Sequence, residues 1–216
     1  HAYIFCETIH AQGELYNFIP KQNQFSTFDE RMLKTIYATQ EEKIQKLTSI
    51  YGESKKPTFP HIIVIFDDFI NDPRVREAPI FKKYAVMGRH QNIAFVCLSQ
   101  CVGGRDGIPK GVRGNLDLIV TFMIESYDDR ESIIKQFLSL NNKMEGDCIM
   151  RKITYCPDKP YQAMVICNFK KSSNYQEIVK TYNAELDIKD FYIGKKMVDG
   201  ANLIRYENKF RRCFEV

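Results

Sequence analysis

Two adjacent carboxylates, Asp67 and Asp68, follow directly on an unbroken apolar run, Ile62-Ile63-Val64-Ile65-Phe66. Paired carboxylates at the end of a buried strand suit magnesium-assisted hydrolysis. One can hold Mg through water while the next polarises an attacking water. This is a Walker B arrangement. A second apolar run, Asn92 to Leu98, ends in Ser99-Gln100. If the two strands are neighbours, the Gln100 amide projects beside the aspartates, where it can sense a γ-phosphate or orient water. The plainer readings are a strand end with a solvated turn for Asp67-Asp68 and a turn residue for Gln100.

The elements that must position these groups read as an α/β pattern. Ala2 to Cys6 is strand-like. Thr27-Phe28-Asp29-Glu30 offers a capping box before a helix to about Tyr51, with Leu33, Ile36, Tyr37, Ile44, Leu47 and Tyr51 on one face. Gly52 ends that helix. Residues 62–66 are apolar at consecutive positions, as a central parallel strand requires. A short helix over Pro79–Met87, a strand to Leu98, a loop with Gly103, Gly104, Gly107 and Pro109, a strand over Leu116–Phe122 and a helix from Asp128 to about Leu140 follow. The pattern predicts an open, mainly parallel sheet with helices on both faces. Cys148–Tyr155 and Tyr161–Phe169, joined by Pro157-Asp158-Lys159-Pro160, predict an antiparallel C-terminal hairpin at the sheet edge, and residues 174–182 predict a helix.

The 216 residues, 44% of them hydrophobic, suffice for a sizeable core, so disorder and fibrous repeats are excluded as descriptions of the whole. The net charge of +4 is too small to argue for nucleic acid by itself. No apolar run approaches the roughly 20 residues of a membrane span. Seven scattered cysteines with no CxxC or Cys/His pairing fit a reducing, intracellular setting better than a disulfide framework or a zinc site. His1 is no initiator methionine, and a strand follows it at once, so the chain is expected to begin inside a longer protein.

The stretch from Ile62 to Gln100 resembles the genome-packaging ATPases of poxviruses, giant viruses, virophages and Maverick-type elements, within the HerA/FtsK superfamily. It carries Phe66-Asp67-Asp68, Gly88-Arg89-His90-Gln91-Asn92-Ile93 and Ser99-Gln100 in the family's order. Ile108-Pro109-Lys110-Gly111-Val112-Arg113-Gly114-Asn115 resembles the family's following loop. The match covers residues 61–122 and is weak elsewhere. The resemblance implies a P-loop ATPase-like core with ATP and Mg as cofactors. Asp67 would be the magnesium-linked acid, Asp68 the carboxylate that activates water, and Gln100 the phosphate sensor. Arg89 and Arg113 are candidates for the arginine that reaches a neighbouring subunit's phosphates. His90 reads as structural.

One departure is large. No G-x-x-x-x-G-K-[S/T] occurs, and the nearest glycine-rich stretch, Gly103 to Gly111, has the wrong spacing and no Ser/Thr after its lysine. In the family the P-loop lies upstream of a strand like Ala2–Cys6. The resemblance therefore implies an ATPase core without its first strand and P-loop over residues 1–185, with a basic extension over 186–216. Phosphate contacts to double-stranded DNA are expected from Arg105, Lys110 and Arg113 in the loop and from Arg211 and Arg212 in the extension. In that extension Ile193 to Val216 holds six basic residues against three acidic ones.

The function implied is an ATP-driven DNA translocase, a homo-oligomeric ring working with capsid or portal proteins in the host cytoplasm, a viral factory or the nucleus. A P-loop-less, non-catalytic DNA-binding or ring-scaffolding relative is one alternative. A magnesium-dependent nuclease using Asp67 and Asp68 is another, although it lacks an obvious third acidic ligand.

Overall fold

The computed structural model describes residues 1–11, 15–69, 72–103, 107–138, 140, 142–170, 172 and 174–184. Strands β1 (Ala2–Cys6), β2 (Gln24–Phe25), β3 (Ile62–Asp67) and β4 (Ile93–Leu98) form a four-stranded, wholly parallel sheet in the order β2-β1-β3-β4. The register sets Cys6 against Asp67 and Asp67 against Leu98, so three strands end together at one edge.

Alternation along each strand divides the side chains between two cores. Phe5, Val64 and Phe66 join one cluster with Leu33, Tyr37, Phe81 and Tyr84, contributed by α1 (Glu30–Tyr51) and, beyond the short α2 (Pro73–Glu77), by α3 (Pro79–Met87). Ala2, Ile4, Cys6 and Ile65 join the other with Ile9, Tyr16 and Ile19, from the segment between β1 and β2. Strands covered on both faces gain from apolar residues at every position, which explains the unbroken run in β3. Phe66 is fully buried, with ring centroids 5.2 Å from Phe5, 5.0 Å from Phe81 and 5.7 Å from Phe95.

Asp29, and not Thr27, is the residue that caps α1, accepting from the amides of Arg31 and Met32. Leu33, Ile36, Tyr37 and Ile44 of the expected apolar face are buried, while Tyr51 is exposed. The helix stops at Gly52, whose φ of 85° a side chain would resist. Gln40, buried in the same helix, donates to the carbonyls of Pro60 and Gln91 and so ties α1 to the chain entering β3 and β4.

After the short α4 (Lys110–Arg113), the chain departs from the expected order. The strand expected at Leu116–Phe122 forms as β5 (Leu118–Thr121), but outside the parallel sheet. It pairs antiparallel with β6 (Gln162–Cys167), which pairs antiparallel with β7 (Val179–Asn183) in a separate three-stranded sheet. The helix α5 (Tyr127–Ile133) continues as a π-helical turn to Leu138.

Of the stretch Cys148–Tyr155, residues 148–154 are helical, not a strand. They belong to α6 (Lys143–Thr154), capped by Asn142, with Gly146, Met150 and Thr154 buried at four-residue spacing. A Cβ on Gly146 would stand 2.5 Å from Ile134 Cγ2, so the close approach of α6 to the π turn requires glycine. The antiparallel arm of Tyr161–Phe169 is β6. Its hairpin partner is β7, because residues 174–182 are helical only over α7 (Tyr175–Ile178) before turning extended. Met164 and Ile166 of β6 pack on Ile133, Ile134, Phe137, Leu138 and Met150 as a core of their own.

Candidate functional site

The aligned carboxyl ends of β1, β3 and β4 bring the chemistry together. Asp67, the last residue of β3, is 8% exposed. Its Oδ2 accepts from the Tyr16 hydroxyl at 2.7 Å and from the Cys6 thiol at 3.4 Å. Cys6 arrives from the neighbouring strand at the position in register with Asp67. Burial, followed by the bond to Asp67, pushes the ionisation of the Tyr16 hydroxyl upward. Burial likewise raises the Cys6 thiol, with Thr8 partly offsetting it. The Cys97 thiol, one residue before the end of β4, is pushed up to about 12 by burial, which keeps it a neutral packing group.

Asp68 adopts φ 57°, in the left-handed region. Asp tolerates that region better than most residues, and the reversal it causes ends the extended run at Asp67. The deeply buried Asp67 carboxylate and the half-buried Asp68 carboxylate are thereby given different surroundings. Gln100, in the turn after β4, aims Nε2 at Asp68 Oδ1 across 3.5 Å, a long contact between the ends of paired strands. The neighbouring strand order supposed for β3 and β4 is therefore present.

Of the two arginines, Arg89 lies apart from this cluster. Arg89 is exposed in the 3₁₀ turn Gly88–Gln91, at the start of β4 and so at the opposite, amino edge of the sheet. A six-residue strand places these edges about 17 Å apart. Arg89 borders a cavity of about 410 Å³ there with Lys56, His61 and His90, and His90 is exposed and not packed at the strand start. Arg113 ends α4, with its guanidinium beside Gly103 in the loop that follows Gln100. Its Nε is buried and finds no hydrogen-bond partner among the described residues. Lys110 is exposed at the first position of α4. Arg105, Arg211 and Arg212 lie outside the described residues, as does the basic extension.

Tyr16 and Cys6 are the site residues that the sequence alone does not reveal. Cys6 carried a usable signal as the last residue of a buried strand. Tyr16 carried none, since its segment has neither helical nor strand periodicity.

Among the described residues no group of three or more His, Cys, Asp or Glu could hold a metal ion. Two hard carboxylates fit magnesium only where phosphate oxygens and waters complete its octahedron, which is this ion's usual manner of binding. The donor set thus fits a water-linked Mg that accompanies a nucleotide, and not a dedicated metal cage.

No protein-family model and no curated protein matches the sequence. Several solved structures share its fold. The DNA-packaging ATPase B204 from Sulfolobus turreted icosahedral virus aligns with a TM-score of 0.51 at 12% identity, over 84% of this chain and 82% of that one. The genome-packaging NTPase B204 from Sulfolobus turreted icosahedral virus 2, in complex with AMPPCP, aligns with a TM-score of 0.50 at 13% identity, over 84% and 81%. The pCW3 conjugation coupling protein TcpA, in its monomer form with ATPgS, aligns with a TM-score of 0.52 at 14% identity, over 96% of this chain and 56% of TcpA. At such identities the likeness is one of fold. The chain has the α/β fold of these packaging and coupling proteins, two of them solved with nucleotide analogues.

Proposed function

We propose that this chain is part of an ATP-driven double-stranded DNA translocase that packages a viral or virus-like genome, with residues 1–185 as ATPase core and 186–216 as a basic extension. The observation that carries the reading is the meeting of Asp67 and Asp68 with Gln100 at the carboxyl edge of a parallel sheet, where open α/β folds bind ligands. The fold shared with two viral packaging proteins supports it.

In this reading Asp67 holds a water of the magnesium ion, and Asp68 takes a proton from the attacking water. Gln100, beside Asp68, orients that water or reads the γ-phosphate. The magnesium ion, when bound, neutralises charge that develops on the phosphate oxygens. Arg89 and Arg113 are the candidates to reach the phosphates of a neighbouring subunit in a ring. Arg89 suits only that role in trans, since its own aspartates lie at the other edge of the sheet. Lys110 and Arg113, with Arg105, Arg211 and Arg212, supply phosphate contacts to DNA. Capsid or portal proteins are the partners, and the host cytoplasm, a viral factory or the nucleus is the site of action.

The sequence has no G-x-x-x-x-G-K-[S/T], and in this reading the backbone amides and lysine that cradle β- and γ-phosphates would be supplied from outside these 216 residues. The same observation favours a second reading, a non-catalytic DNA-binding or scaffolding relative. A magnesium-dependent nuclease has less support, since no third acidic ligand joins Asp67 and Asp68 among the described residues.

The deciding experiment is calorimetric titration of a magnesium-bound, non-hydrolysable ATP analogue into this chain, into its Asp67→Ala variant, and into a longer protein that includes upstream sequence. The translocase reading expects binding in the longer protein that is lost with Asp67→Ala. Binding by neither form would sink it in favour of the scaffold, and DNA cleavage with magnesium but no ATP would favour the nuclease.

A further inference from the structure

The segment that reaches Asp67 from the second face of the sheet is tied down more firmly than a connecting loop needs to be. Gln24, the first residue of β2, donates through Nε2 to the carbonyls of both Tyr16 and Ile19, at 3.0 and 2.7 Å. β2 itself is hydrogen-bonded to β1. The Tyr16 ring is buried and tilts against Phe18, with centroids 6.0 Å apart. The hydroxyl is thereby delivered to Asp67 Oδ2, the same oxygen that the Cys6 thiol approaches from β1.

A carboxylate turns about its Cβ–Cγ bond, and a water-mediated metal contact depends on where its oxygens point. Two donors on a single oxygen hold that rotation before any nucleotide arrives. Both donors are neutral, so they orient the group without cancelling the negative charge that a cation requires. Donors of this kind, one step removed from the metal, commonly set the affinity of the ligand they hold.

We propose that Tyr16 is a positioning residue for Asp67, fixing the carboxylate for a divalent cation. This rests on the reading of Asp67 as the magnesium-linked acid. Mn²⁺ is the probe, alone and with ATP, followed by electron paramagnetic resonance on the longer protein used for the nucleotide titration and on its Tyr16→Phe, Gln24→Ala and Asp67→Asn variants. Melting curves with and without Mn²⁺ accompany each titration.

Tyr16→Phe keeps the ring and removes only the hydroxyl. It is expected to weaken Mn²⁺ binding roughly tenfold or more and to shrink the metal-induced rise in melting temperature. Gln24→Ala, which loosens the segment without touching the carboxylate, is expected to act in the same direction and less strongly. Melting temperature that falls while Mn²⁺ affinity stays at the wild-type value in both variants, with Asp67→Asn still losing the metal, would overturn the positioning role alone. Mn²⁺ binding unchanged in Asp67→Asn, or absent from the wild type, would overturn the reading of Asp67 and the positioning role with it.

Discussion

The left-handed backbone at Asp68 permits a test that separates geometry from charge. At φ 57° an L-residue brings Cβ close to its following carbonyl oxygen, at a cost of about 1–2 kcal/mol that Asn and Asp partly escape through local hydrogen bonding. Asp68→Asn, Asp68→Ala and Asp68→Val all remove the same negative charge and the same carboxylate. Differences among the three therefore report the backbone and not electrostatics. Asp68→Asn is expected to leave stability within about 0.5 kcal/mol of the wild type, Asp68→Ala to cost about 1 kcal/mol, and Asp68→Val, with its branched Cβ, about 2 kcal/mol. The chain contains no tryptophan, so far-UV circular dichroism or tyrosine emission would follow unfolding in urea. With a slope of roughly 2 kcal/mol per M, Asp68→Ala and Asp68→Val should lower the midpoint by roughly 0.5 and 1 M relative to Asp68→Asn. In a hydrolysing form of the protein all three should lose turnover together. Equal stabilities for the three, or Asp68→Val as the most stable, would refute the argument that this residue is held against its conformational preference.

Two other outcomes follow from burial. Arg130, 6% exposed, gives Nε to Asp147 Oδ1 at 2.5 Å and Nη1 to the carbonyls of Ile124 and Glu125 at 2.7 Å. Breaking a buried pair by removing one partner costs 3–5 kcal/mol, and the partial exposure of Asp147 brings the expectation for Asp147→Ala to about 2–3 kcal/mol in urea unfolding. Burial raises the ionisation of Tyr84, burial and the Asp67 bond raise that of Tyr16, and burial carries Cys97 to about 12 from an ordinary 9.0. Groups raised on folding stabilise fully below their unfolded values and lose that contribution as pH rises through the folded ones. The urea midpoint is therefore expected to fall progressively above pH 9, and to fall less steeply in Cys97→Ala; a flat profile from pH 9 to 11 would contradict this.

Residues 62–66 could be recognised as a strand because burial on both faces demands apolar side chains at consecutive positions, and that demand is written locally; residues 93–98 carry a similar apolar run although β4 is an edge strand with only Ile93 buried. The helix of residues 30–51 was legible for the same reason, through the spacing of Leu33, Ile36, Tyr37 and Ile44 and the stop at Gly52. Asp67, Asp68 and Gln100 stood out because strand ends are where polar residues interrupt such runs.

What lay beyond reach were choices between distant partners. Leu118–Thr121 has the composition of a parallel strand, yet it pairs with β6, more than 40 residues later, because the chain around α5 and α6 supplies a second core that the first sheet cannot. Cys148–Tyr155 reads as extended until Gly146, Met150 and Thr154 are seen to share one helical face against Ile134. Arg89 falls near Gln100 in sequence, but β4 carries it to the other edge of the sheet. The hydroxyl of Tyr16, 51 positions from Asp67, reaches that carboxylate only because β2 holds its segment against the sheet. Local pattern determines which residues must be buried and where elements stop; which buried group meets which carboxylate is decided by the closure of the whole chain.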